Sequence, residues 1–127
     1  MKKYSFIKPD YKLQRNLMAF GYECDNGWLP LIEELFDKID GMLGNAPTFF
    51  EIIQVKEKYG TLSVYAVGET EEISNLINKY EVISSKTCEF CGKPGELRDK
   101  KHWYKTLCEK CYQLWLENKL YLQEDET

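Results

Sequence analysis

Four of the five cysteines in this chain of 127 residues constrain its folding more than any other feature. They form two pairs, Cys88 with Cys91 and Cys108 with Cys111, and sixteen residues separate the pairs. Two residues between cysteines let both sulfurs of a pair face one ion, and a hairpin between the pairs completes a tetrahedron. The spacing therefore predicts one structural Zn²⁺ site with these four ligands.

The residues between the pairs suit this role. Gly92 directly follows the first pair, where a tight turn is required, and short strands are predicted over 96–98 and 103–106. The second pair lies where a helix over 111–122 begins, so backbone amides help to neutralise its thiolates. This order of turn, hairpin and helix-borne ligands resembles a treble-clef zinc finger of the GATA type. A redox role is the alternative, but neither pair lies in a thioredoxin-like βαβ pattern.

The remaining sequence predicts an α+β fold in which helices pack on a small antiparallel sheet. Apolar spacing predicts helices over 11–20, 31–42 and 71–83. Asp25 or Asn26 is expected to cap the second of these helices, and Thr70 the third. Alternating β-branched residues predict strands over 49–56 and 61–67, which are joined by the turn 57–60. An N-terminal strand is expected to widen this hairpin.

The chain thus divides into three parts. Residues 1–85 form the α+β body, residues 86–122 form a four-cysteine zinc module packed on it, and residues 123–127 form a flexible acidic tail. Apolar runs are too short to span a bilayer. Lys8, Pro9 and Asp10 follow the basic N-terminus before any apolar stretch develops, which argues against a signal peptide, so we expect a cytoplasmic protein without a membrane partner.

Charge is unevenly distributed along the sequence. Seventeen basic and twenty-one acidic residues give a net charge of −4, whereas residues 86–119 carry eight basic and five acidic residues, a net charge of +3. Basic residues mixed with aromatic ones can bind nucleic acid through phosphate contacts and stacking. An alternative function is therefore nucleic-acid binding through the basic residues of the zinc module, which are Arg98, Lys100, Lys101, Lys105 and Lys110.

Candidates for catalysis are few. His102 is the only histidine, and its place in a turn among lysines predicts exposure to solvent. Cys24 is expected to be a buried small residue, and its activation as a nucleophile would require His102 to fold over it. A histidine-dependent nuclease would need additional metal ligands or a general base. Because four thiolates also leave no open position on the metal, we predict that the protein is not an enzyme.

Three sequence blocks carry a resemblance. They are residues 22–28 (YECDNGW), residues 54–62 (QVKEKYGTL), and the segment from Ser85 to Cys108 with its TCEF-C-G, PG-x-LR and W-x-x-TLC elements. Together they resemble a family of small uncharacterised proteins from bacterial and bacteriophage genomes. The likeness covers roughly residues 20–112. It brings no established activity, but the genomes involved imply a role linked to phages or mobile elements, such as inhibition of a host complex.

We therefore predict an accessory or regulatory protein that acts through protein–protein binding. Aromatic side chains are enriched at interfaces, and lysines on one strand face could grip an acidic partner. The predicted contact residues are Trp28, Lys56, Lys58, Tyr59 and Trp103. The alternatives are that Trp28 is a core anchor at a helix start and that the two lysines only form the polar face of a half-buried sheet.

Overall fold

The computed structural model describes residues 2–45 and 49–122, and within them the chain has an α+β fold. The predicted tail over 123–127 lies outside these residues. The helices are α1 (Leu29–Leu43), α2 (Glu71–Ser84) and α3 (Glu109–Leu116). The strands are β1 (Tyr22–Glu23), β2 (Glu51–Lys58), β3 (Thr61–Val67), β4 (Glu96–Lys100) and β5 (Trp103–Leu107). No helix in the described ranges is both long and apolar enough to cross a lipid bilayer.

The body is a three-stranded sheet in the order β1-β2-β3 with α1 and α2 packed against it. Strand β2 pairs antiparallel with β3 and parallel with the two-residue strand β1. The apolar face of each element is buried in one core, which includes Trp28, Ile32, Leu35, Phe36, Ile39, Ile52, Val55, Leu62, Ile73 and Tyr80. Each such side chain contributes about 1.5–3 kcal/mol when fully buried, so this core supplies most of the stability of the body.

The predicted hairpin of β2 and β3 and the predicted helix over 71–83, which is α2, are confirmed. Strand β3 has the predicted bounds, whereas β2 begins and ends two residues later than predicted, at Glu51 and Lys58. The hairpin closes through the two residues Tyr59 and Gly60, which both have positive φ, as two-residue hairpin turns favour. Helix α2 begins after Thr70, whose hydroxyl accepts a hydrogen bond from the backbone N–H of Ile73 at 3.2 Å.

The predicted helix over 11–20 is wrong, since only a short 3-10 turn over Met18–Phe20 forms there. The carboxylate of Asp10 accepts hydrogen bonds from the backbone N–H groups of Lys12, Gln14 and Arg15 at 2.7–3.0 Å. Leu13 adopts a φ of 57°, outside the helical region. A side chain that captures these amides offers the backbone an alternative to a helix, and here that alternative is adopted.

The third strand of the sheet is also not the one predicted. It is β1, from the segment after Gly21, whereas the N-terminal leader forms no strand. The leader is nevertheless attached, because Phe6 is buried and its carbonyl accepts a hydrogen bond from the N–H of Ile52 at 2.9 Å. On the opposite edge, side chains of α2 accept hydrogen bonds from backbone amides of β3. Both edges of the sheet are therefore partly occupied.

Two helix termini differ from the predictions. Helix α1 begins at Leu29, and neither Asp25 nor Asn26 caps it through a side chain. Helix α3 ends at Leu116, not at residue 122, because Asn118 adopts a left-handed conformation with a φ of 58°.

Candidate metal centre and adjoining groove

The first cysteine pair lies on a tight turn. The backbone N–H of Cys91 points at the sulfur of Cys88 at 3.5 Å, and the N–H of Gly92 donates to the carbonyl of Cys88 at 2.9 Å. Gly92 has a φ of 84°, which a residue with a side chain rarely adopts. This turn brings both sulfurs to the same side of the backbone.

The second pair is positioned by β5 and α3. Cys108 is the N-cap of α3, and its sulfur accepts from the backbone N–H of Cys111 at 3.5 Å. Burial by itself raises the pKa of Cys108, but the N–H of Cys111 and the neighbouring thiols outweigh burial and lower it to about 7. The first turn of the helix thus favours a thiolate, the form that binds a metal ion.

All four sulfurs converge within 4.8 Å of one another, which confirms the predicted cluster. One contact between the two pairs is that of the sulfurs of Cys91 and Cys108, at 3.6 Å. Sulfurs placed tetrahedrally around one ion with bonds of about 2.3 Å lie roughly 3.8 Å apart. The four cysteines, Cys88, Cys91, Cys108 and Cys111, are therefore close enough to bind one metal ion.

The module around this cluster has a small core. Besides the buried Cys88 and Cys111, it contains only Leu107, Trp115 and Leu120 as buried apolar side chains among the described residues. Strands β4 and β5 form a two-stranded sheet of their own, and such a hairpin has marginal stability in water. A metal ion held by the four cysteines would therefore contribute a large share of the stability of residues 86–122.

The turn of the metal cluster packs directly on the body. A Cβ atom at Gly27 would overlap the backbone carbonyls of Cys88 and Glu89, so no larger residue fits there. Next to it, the indole N–H of Trp28 donates to the carbonyl of Thr87 at 2.9 Å. Trp28 is fully buried, and the prediction that it belongs to an exposed contact surface is therefore wrong. Its role is to join the body to the cysteine turn.

A buried charge lies at the same junction. Glu89, between the first two cysteines, is 2% exposed, and its carboxylate accepts from the N–H of Asp25 at 2.9 Å. The ammonium group of Lys105 approaches this carboxylate at 3.4 Å and that of Asp25 at 3.7 Å. Tyr121 completes the network by donating its hydroxyl to Asp25 at 3.0 Å. Burial raises the pKa of Glu89, against the opposing effects of the Asp25 amide and Lys105.

Sequence reasoning did not identify this network. The sequence signal that could have found it was an acidic residue between the two cysteines of one pair. The backbone of such a turn holds this side chain against the surface on which the turn packs. The partners Asp25 and Lys105 are 64 and 16 residues away in the sequence and carried no comparable signal.

Three of the five residues predicted to bind nucleic acid form contacts within the protein instead. Arg98 donates to the carbonyl of Leu107 at 3.1 Å, and it forms ion pairs with Glu96 and Glu109 at 3.2 and 3.3 Å. Lys100 donates to the carbonyl of Trp115 at 2.8 Å. With Lys105 held at the junction, only Lys101 and Lys110 of the predicted five are exposed, so the set does not form a continuous basic face.

Cys24 and His102 are not brought together. Cys24 is half-buried, and burial together with the nearby carboxylates of Glu89 and Asp25 raises the pKa of its thiol to about 12. His102 is exposed, and no hydrogen bond joins it to Cys24 in the part of the chain that the structure describes. The thiol is therefore protonated at neutral pH, which makes it a poor nucleophile.

Four of the five predicted contact residues do meet, in a surface groove of about 430 Å³ between the tips of two hairpins. We call it the hairpin groove; its lining is Lys56, Glu57, Lys58, Tyr59, His102, Trp103 and Tyr104. Tyr59 and Trp103 are 75% and 74% exposed. The hydroxyl of Thr106 donates to the carbonyl of Gly60 at 2.6 Å and thereby ties one hairpin to the other.

Comparison of the chain with known protein families, curated proteins and solved structures found no match.

Proposed function

We propose that this protein is a zinc-stabilised accessory protein without catalytic activity, which binds another protein through the hairpin groove. The observation that carries the proposal is the convergence of Lys56, Lys58, Tyr59 and Trp103 on that groove. Its two walls come from different parts of the chain, one from the body and one from the cysteine module. A surface that exists only when both parts are folded and packed together is suited to specific recognition.

Zinc is the metal that we propose for the cluster. Four thiolate ligands favour zinc or an iron–sulfur site over harder cations. The turn, hairpin and helix that present the ligands support a treble-clef arrangement. Since all four positions are filled by sulfur, the ion would have a structural role and no open position for a substrate.

The internal contacts of the basic residues favour protein binding over nucleic-acid binding. Arg98, Lys100 and Lys105 are used in internal contacts, whereas phosphate binding requires cations that are free to replace condensed counterions. From the sequence resemblance alone, we further propose that the partner belongs to a host complex that this protein inhibits or regulates.

The test is affinity purification of the tagged, zinc-loaded protein from nuclease-treated host lysate, with two variants beside the wild type. Trp103→Ala with Tyr59→Ala removes both exposed aromatic side chains of the groove. Tyr11→Ala is the matched control, because Tyr11 is 81% exposed but does not line the groove. We expect a stoichiometric protein to be retained by the wild type and the control and to be lost from the double variant. A partner retained equally by all three, or recovery of nucleic acid alone when nuclease is omitted, would contradict the proposal.

Metal content gives an independent test of the zinc assignment. Elemental analysis of the purified protein should find one zinc per chain, and Cys108→Ser should lower the zinc content and destabilise residues 86–122. A colourless protein with no bound metal, or one in which iron replaces zinc, would refute the assignment.

A further inference from the structure

The hairpin groove is lined by two lysines and one glutamate, and the lysines have no ion-pair partner among the described residues. Lys56 and Lys58 differ in this from Lys105 and Arg98 of the module, which are ion-paired. The carboxylate of Glu57 accepts the backbone N–H of Gly60 at 2.6 Å and forms no ion pair with either lysine within the described ranges, so it offsets only part of their charge. The ammonium groups are thus left to water or to a ligand.

The turns beside the groove are built from unusual residues. Tyr59 has a φ of 53°, and Lys101 and His102 have φ values of 50° and 68°. Two-residue turns of this kind favour asparagine and glycine, whose small or absent side chains tolerate positive φ. Two of these larger side chains, Tyr59 and His102, instead line the groove, and backbone conformations that cost energy concentrate at functional positions.

Exposed aromatic residues provide the apolar part of the surface. Tyr59 and Trp103 project from opposite walls, one from each hairpin, and each leaves about three quarters of its surface in solvent. Tyrosine and tryptophan are the residues most enriched at the energetic centres of protein interfaces. The chain has a net charge of −4, yet this groove contains two lysines that pair with no carboxylate in the described part of the chain. A ligand that complements the groove is therefore negatively charged and has an apolar side chain.

We infer that the hairpin groove binds an acidic, extended segment of a partner protein, with carboxylates on Lys56 and Lys58 and an apolar side chain between Tyr59 and Trp103. This inference rests on the proposed function and specifies the chemistry of the partner. A peptide fits better than a nucleic acid for two reasons. Of the basic residues of the module, Arg98, Lys100 and Lys105 are engaged internally, so no continuous cationic track extends from the groove for a phosphate backbone. The net negative charge of the whole chain also repels a long polyanion more than a short acidic segment.

The experiment uses the full-length zinc-loaded protein and a displayed library of random linear peptides. Peptides are selected on the wild type, and their affinities are then measured for the wild type, for Lys56→Glu with Lys58→Glu, and for Trp103→Ala. Lys79→Glu is the control, because Lys79 is an exposed lysine of α2 that does not line the groove. We expect selected peptides to be rich in Asp and Glu around one aromatic or aliphatic residue. Reversal of both groove lysines should weaken binding about tenfold or more, whereas the control should change it little.

The outcomes distinguish failure of the acidic-partner inference from failure of the proposed protein-binding function. Peptides that require Trp103 but show no acidic enrichment, or that bind the lysine-reversal variant as well as the wild type, would overturn the acidic partner and leave protein binding intact. Failure to select any peptide that requires Trp103 would overturn the groove as a protein-binding site altogether. Oligothymidylate that competes with the selected peptides at physiological salt would assign the groove to single-stranded nucleic acid instead.

Discussion

Replacement of Trp28 by phenylalanine tests whether this residue joins the body to the cysteine turn. The substitution keeps an aromatic ring in the core but removes the N–H that donates to the carbonyl of Thr87. An unsatisfied buried carbonyl costs about 1–3 kcal/mol. The missing second ring opens a cavity of roughly 40 Å³, which adds about 1 kcal/mol. Trp28→Phe should therefore lower the free energy of unfolding by about 2–4 kcal/mol.

The assay is urea unfolding of the zinc-loaded protein, followed by far-ultraviolet circular dichroism. Trp103→Phe is the matched control, because the same chemical change at a side chain that is 74% exposed should shift stability by less than about 0.5 kcal/mol. If the two variants were equally stable, Trp28 would not anchor the junction and the argument from its burial would fail. Selected peptides should still bind Trp28→Phe, since Trp28 does not line the groove.

Three further predictions concern the junction, the metal and the N-terminal segment. Gly27→Ala should cost about 1–3 kcal/mol, because its Cβ would overlap backbone carbonyls of the cysteine turn. Gly41→Ala in α1, where a Cβ meets nothing within 4 Å, should be neutral or stabilising in the same unfolding assay. Chelation of the metal should abolish amide-exchange protection in residues 86–122 and leave protection in α1 and β2; concerted loss throughout the chain would refute separate cores. Backbone N–H groups of Arg15, Lys12 and Gln14 hold the pKa of Asp10 below its usual range. The stability that Asp10 contributes should be present above the ordinary carboxyl pKa and be lost as pH falls through the lowered value, and carboxyl NMR titration of Asp10 with an ordinary pKa would contradict this.

Local patterns were the part of the fold that the sequence predicted well. The cysteine spacing identified all four members of the cluster because a two-residue gap and a return hairpin leave few other geometries for the sulfurs. The cap at Thr70 and the hairpin after Lys58 were predictable for the same reason, since each depends on neighbours in sequence. At the groove, the alternation of Lys56 and Lys58 indicated one strand face, and only the fold showed that Trp103 lies opposite to them.

The failures arose where a distant or competing contact decided the outcome. The spacing of Leu13 and Leu17 satisfies a helical pattern, yet the carboxylate of Asp10 captures the amides that the helix would need. Trp28 could have been an interface residue or a core anchor, and the choice depended on packing against Thr87, 59 residues away. A two-residue strand such as β1 has no periodicity that could have revealed it.

Strand β5 links the four-cysteine cluster to the hairpin groove, so a metal bound at the cluster would have a role beyond local stability. The strand starts at Trp103 on the groove wall, carries Lys105 to the buried carboxylate of Glu89, and leads directly into the ligand Cys108. Its position against the body depends on the contact of Thr106 with Gly60 and on the docking of the cysteine turn. The body core contains none of these groups and has its own buried side chains. Loss of the metal would therefore remove one wall of the groove while Lys56 and Tyr59 remain on the folded body, so partner binding should require metal even though no partner atom touches the ion.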